Sequence, residues 1–298
     1  MIELMRFDAH LLLRLPRLQA NTHRLMQGEN MFGWFRKEAL LDAELTAWQF
    51  DCFDWLLRHT GGVEALRSRR LILPTRECFP QRGQHDTAFA AAVFEQVKMH
   101  AGMADWPCTL QMQEGDPNPM VSPQAFIKDA PQSPAGTFRA LGDEGALITY
   151  HPNQLADPVA LVATFAHELA HYRTAGFPEP PPGGWEVWEI ATDLAAVFLG
   201  FGVFLANTRF QFGHFSDGRV SGWRWRQQGY VSEPEVLHMQ AIVSQAMGAP
   251  QEQTLAHLKP ALRGIYKRVW KDAALASGRR RPAVGFEGDA EKPLQPVQ

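Results

Sequence analysis

Residues 157–176 read DPVALVATFAHELAHYRTAG, and this stretch limits the fold more tightly than any other in the 298-residue chain. Asp157 before Pro158 is a helix start. The aspartate can accept from the orphan N–H groups of the first turn, and proline is pre-set for the first helical position, where no N–H is needed. Gly176, with Pro178 two residues on, is an equally clear stop. His167 and His171 therefore lie mid-helix. Successive helical residues turn by about 100°, so positions four apart differ by about 40° and leave one face a turn apart. Two imidazoles so arranged can fill two of the four tetrahedral positions of a zinc ion, at bonds of about 2.0–2.1 Å, without bending the backbone. Glu168 is rotated off that face, and can reach a metal-bound water without occupying the metal.

A catalytic zinc site needs a third protein ligand. The segment FPEPPPGG, residues 177–184, is a stiff turn that no helix can cross, and WEVWEIATDLAAVFLGFG predicts a second helix from Trp185 that folds back on the first. It offers Glu189 and Glu186. Glu189 is preferred because Asp193 follows four residues later on the same face, within reach of a ligand histidine that needs an acceptor for its other ring nitrogen. Glu186 is expected in the first turn, where the helix dipole and solvent already suit a carboxylate. From Leu194 on, this helix is wholly apolar, so Glu189 and Asp193 are expected where it runs into the core. Carboxylates left unpaired there would cost several kcal/mol.

The run HELAH from His167 to His171, followed by Glu189 and Asp193, resembles the HExxH zinc site of the gluzincin metallopeptidases. The resemblance implies zinc held by His167, His171 and Glu189, Glu168 as general base, and Asp193 supporting a ligand histidine. It also implies a peptide or protein substrate, hydrolysed by a zinc-activated water whose proton Glu168 accepts and passes to the leaving amine. The strand ALITYH, residues 146–151, matches where that family keeps the edge strand that pairs with an extended peptide. The resemblance covers residues 146–206 and departs at Arg173, where the family favours an apolar residue. The metzincin variant is excluded, because Phe177 stands where its third histidine would be. For stabilising the oxyanion, Tyr230, His238 and Arg226 all follow the second helix, and the sequence does not rank them.

Composition bears on the remaining function classes. A net charge of −3 with 45% hydrophobic residues gives no pull towards nucleic acid or anionic lipid. The start, MIELMRFDAHLLLRLP, has acids at Glu3 and Asp8 and lacks a secretory layout, so the expected location is cytoplasmic. Three scattered cysteines form neither a disulfide framework nor a zinc finger. The most apolar run, LAAVFLGFGVFLA, spans about 13 residues against the roughly 20 a bilayer needs, and reads as a helix buried on all sides. No membrane partner is expected. Two other readings stay open: a non-catalytic zinc-dependent regulatory or binding protein, and a nucleic-acid-associated factor built on GWRWRQQGY. In the latter, Trp223 and Trp225 would stack bases while Arg224 and Arg226 meet phosphate. Strand alternation counts against it by turning both tryptophans to the core.

Around the metal site the chain reads as α+β, mainly helical, with a small mostly antiparallel sheet and a two-helix zincin-like site. Helices are expected from about residue 39 to Gly61 and from an Asp86 cap to Gly102. A short extended piece is expected at Leu71–Pro74. CTLQMQ predicts a strand, and TFRAL and ALITYH around GDEG predict a hairpin. A second hairpin is expected beyond Asn207. Ser232 and Glu235 predict a capping box, and a last helical region is interrupted at Pro260. One domain is expected over residues 1–276, with a disordered tail over 277–298.

Overall fold

The computed structural model describes residues 39–115, 134–212 and 231–279, together with two short strands inside 120–126. All belong to one unit, Ala39–Gln298. Residues 1–38 and the tail beyond Arg279 lie outside the described residues, so the expected domain limits meet no structural comparison at either end.

Helix α1, Ala43–His59, starts where Asp42 accepts from the Leu45 N–H at 2.7 Å and buries Phe50, Phe53, Trp55 and Leu56. A one-turn α2, Gly62–Arg67, follows, and then α3, Thr87–His100, capped by Asp86 through the Phe89 N–H at 3.0 Å. The strands are β1 (Cys108–Met112), β2 (Met120–Ser122), β3 (Ala125–Phe126), β4 (Gly136–Ala140) and β5 (Ala146–Tyr150). Two sheets result. β2 and β3 form an antiparallel pair, while β1, β5 and β4 form a three-stranded sheet in that order, with β1 parallel and β4 antiparallel to β5. β4 and β5 are the expected hairpin, closed by a 3-10 turn at Gly142–Glu144. The expectation for ALITYH needs correction: β5 is central, paired on both sides, and the edge beside the metal helix is β4. Strand order here depends on β1 returning from far earlier in the chain to pair with β5, which no local pattern in residues 146–151 records.

Helix α4, Pro158–Ala175, runs between the limits read from the sequence. Asp157 accepts from Val159 N–H at 3.0 Å and Ala160 N–H at 3.1 Å, and the helix ends at Gly176. Residues Ala160 to Ala170 are buried almost without interruption, because α4 packs against α3, the β4–β5 hairpin and the helices that follow. The helix expected from Trp185 begins differently. Trp185–Val187 is a 3-10 turn and α5 proper spans Trp188–Ala196. A π-type segment, Val197–Phe201, then joins it to α6, Gly202–Phe212.

Gly200, in that segment, has φ of 108°, a backbone state open mainly to glycine. Its carbonyl accepts from the Ile72 N–H at 3.1 Å, which anchors the extended piece at Leu71–Pro74 without a strand ladder. The stretch Trp185–Thr208 is long and apolar enough to cross a membrane, but its apolar window is 94% buried inside the fold.

α6 also revises the second expected hairpin. Its helix continues through Phe212, so Phe210–Phe212 are helical rather than a strand, and the rest of that hairpin, including Trp223, Arg224 and Trp225, lies outside the described residues. Polar side chains along it find partners both within the helix and outside it. The Thr208 hydroxyl donates to the Phe204 carbonyl at 2.9 Å, and Asn207 pairs with the His257 carbonyl and the Lys259 N–H. Helix α7, Glu233–Ala246, starts with the Ser232–Glu235 capping box. α8, Gln251–His257, and α9, Pro260–Ser277, divide at Pro260 as expected.

Candidate metal centre

α4 and α5 pack antiparallel, and the two histidines of α4 meet one face of α5 where Glu189, Thr192 and Asp193 are three and four residues apart. Nε2 of His167 and Nε2 of His171 are 3.0 Å apart. Oε2 of Glu189 lies 3.6 Å from the first and 3.3 Å from the second. A tetrahedral ion with bonds of about 2.0–2.1 Å holds its ligand atoms about 3.3–3.4 Å apart, so the three observed separations bracket the spacing zinc needs. Among the described residues, His167, His171 and Glu189 are the group whose ligand atoms converge in this way. Glu186, the competing carboxylate, is exposed in the preceding 3-10 turn and is not among them.

The outer nitrogens explain why a cation fits. Nδ1 of His167 is 3.0 Å from Oδ1 of Asp193, and Nδ1 of His171 is 3.2 Å from the Thr192 hydroxyl. When both outer nitrogens donate, two imidazole lone pairs and a carboxylate face one another with no proton between them. Such a cluster is repulsive until a positive charge sits among the three atoms. Without metal, that charge is a proton. Burial opposes a charged His167 ring, yet hydrogen bonds to Asp193 and Glu189, with the nearby charges of Asp193 and Glu168, raise its pKa to about 10. The same contacts from His167 and His171 hold the Glu189 carboxyl well below the ordinary carboxylate range.

Glu168 is buried, and that burial pushes its carboxyl upward although both histidines pull it down. It lines a cavity of about 510 Å³ together with the three converging residues and Asp193. The opposite wall is β4. A methyl group at Gly136 would stand 2.6 Å from Cγ2 of Thr164 and 2.9 Å from Oε1 of Glu168, so only a residue without a side chain lets this strand pass so close to α4. Two residues on, the Phe138 ring stacks on His171 at 6.0 Å and 9°. Trp188 meets the His171 ring edge-on at 4.9 Å, and its indole N–H donates to the Thr174 hydroxyl at 3.0 Å.

Several site residues stand differently from the sequence reading. Glu189 is not buried at the edge of the core: its side chain is 60% exposed, because α5 begins at Trp188 and Glu189 falls in its first turn. Asp193, one turn deeper, is the buried carboxylate. His238 is fully buried on α7, where Nδ1 donates to Oε1 of Gln49 at 2.7 Å and burial lowers its pKa to about 4. It does not line the cavity. Tyr230 and Arg226 lie outside the described residues. Arg173, where the family pattern is apolar, stacks over the Trp106 ring at 5.1 Å.

Thr192, Trp188, Phe138 and Gly136 were not singled out from the sequence. Thr192 alone carried a usable signal, its i+3 spacing from Glu189. No protein-family model, curated protein or solved structure matches this chain.

Proposed function

We propose that the chain is a zinc metallopeptidase that hydrolyses peptide bonds with Glu168 as general base. The observation that carries this reading is the convergence of His167, His171 and Glu189 at zinc-like spacing beside a buried carboxylate, within a cavity of peptide-accepting size. Zinc, when bound, supplies Lewis acidity that lowers the pKa of a coordinated water towards about 7 and polarises a carbonyl. Everything else falls to the chain. His167, His171 and Glu189 hold the ion, while Asp193 and Thr192 keep the two rings turned towards it. Glu168, its carboxyl pushed upward by burial beside both rings, accepts a proton and returns it to the leaving amine.

The direction of β4 supports a definite substrate orientation. Gly136 lies by Thr164 and Glu168, and Phe138 by His171 and Tyr172, so β4 runs the same way as α4. A peptide pairing antiparallel with this edge strand runs the opposite way. Its residues before the scissile bond then lie towards Phe138 and Trp188, and those after it towards Gly136 and Thr164. Glu168 stands on the second side, where the leaving amine needs its proton.

Elemental analysis of purified protein is expected to find about one zinc per chain, with cleavage of members of a diverse peptide library. Glu168→Gln is expected to keep the zinc and lose about 10²–10⁴-fold in kcat/KM. Full activity in that variant would remove Glu168 from its role. Zinc without cleavage across the library would favour a non-catalytic zinc-dependent protein.

A further inference from the structure

We propose that Thr192 is the positioning residue for the second ligand histidine, its hydroxyl accepting from Nδ1–H of His171 and so committing Nε2 to the metal. This rests on the zinc reading above. The two ligand histidines are held in different ways. His167 leans on a carboxylate, Asp193, at 3.0 Å. For His171 the structure shows a neutral hydroxyl at 3.2 Å, the Phe138 ring on its face and the Trp188 ring at its edge. The rings restrict how the imidazole tilts but cannot decide which nitrogen carries the proton. Among the described residues, only the Thr192 oxygen offers a directional contact to Nδ1.

Thr192 can take this bond as acceptor, because a hydroxyl keeps two lone pairs beside the one proton it donates. The hydroxyls of Thr174 and Thr208, also buried in helices, donate to carbonyls four residues back, the usual outlet for a helical threonine. Thr174 shows both roles at once, accepting from the Trp188 indole N–H while it donates, and fully buried Thr192 presents its oxygen to the histidine. Its place three residues after Glu189 and one before Asp193 lets a single face of α5 supply one ligand and the partners of both others.

Zinc affinity of the full chain, measured by competition with a chromophoric chelator, tests this. Thr192→Val, nearly isosteric but unable to accept, is expected to bind zinc about 10- to 100-fold more weakly, and Thr192→Ser to return close to wild type. The visible bands of cobalt-loaded protein are expected to move in the valine variant and not in the serine one, a signature that general loosening of the fold would not give. If the valine variant fails to fold, the long-range ¹H–¹⁵N spectrum of the wild-type chain decides: His171 is expected as the Nδ1–H form, and an Nε2–H form would overturn the proposal. Wild-type affinity in Thr192→Val, alongside loss of zinc in His171→Ala, would sink the role of Thr192 and leave the metal centre standing. A wild-type chain that binds no zinc would bring down both.

Discussion

On the proposed zinc reading, His167 is where proton and metal would compete. Its pKa is raised from 6.5 to about 10, so in the metal-free chain the ring stays charged through neutral pH. The stabilisation from that charge is fully present below about 6.5 and is lost as pH rises through about 10. Zinc must displace the proton to reach Nε2, so zinc affinity is expected to rise with pH, by about tenfold per unit between pH 7 and 9 for one proton released. Competition titrations corrected for chelator protonation would show this slope, and a flat profile would mean that no ligand is protonated in the free chain. At the same scale, the sequence reading found Glu189 and Asp193 by helical spacing. It passed over Thr192 because a threonine in a helix normally bonds its own backbone, and its meeting with His171 depends on how α4 and α5 pack.

Among the elements, the contact of β4 with α4 depends on Gly136. Gly136→Ala would force a methyl against Thr164, the Thr149 carbonyl and the carboxylate of Glu168. The strand, Glu168, or both must move, at a cost of about 1–3 kcal/mol in stability. Because the atoms nearest that methyl belong to Thr164, Glu168 and Thr149, the variant is expected to keep its zinc while kcat falls at least tenfold. Zinc content and steady-state kinetics on one preparation would separate the two effects; loss of zinc with normal turnover per bound metal would refute this account. The hairpin itself was legible, since alternation and the GDEG turn are local. Which of its strands forms the edge was not, because β1 decides it by pairing with β5 along Cys108–Met112.

For the whole molecule, an ion held by His167, His171 and Glu189, as proposed, would tie α4 to α5 at the centre of the fold. A ligand that binds only the native state adds about 2.7 kcal/mol at 100 times its Kd, which for a chain of this size raises Tm by roughly 4 °C. Thermal unfolding with zinc and with chelator is expected to differ by that amount in the wild type and in Glu186→Ala, and to coincide in Glu189→Ala. If Glu186→Ala were the variant that lost the increment, the third ligand would be Glu186. The long apolar stretch Trp185–Thr208 has its place at this scale too: its surface is covered by α4, α7 and the extended piece at Ile72, which joins at Gly200.

The sequence by itself determined the limits of α4, the one-face placement of His167 and His171, the Glu189-to-Asp193 spacing and the hairpin ahead of them. The helical features depend on groups within about four residues of one another, where backbone geometry and capping leave few choices, and the hairpin on alternation about a single turn. Only the tertiary structure decided that β4 forms the edge, that Glu189 opens on the cavity while Asp193 is buried, that Thr192 faces His171, and that His238 turns into the core. Those outcomes depend on which surfaces of distant segments pack together, and close packing fixes them through contacts that no local pattern encodes.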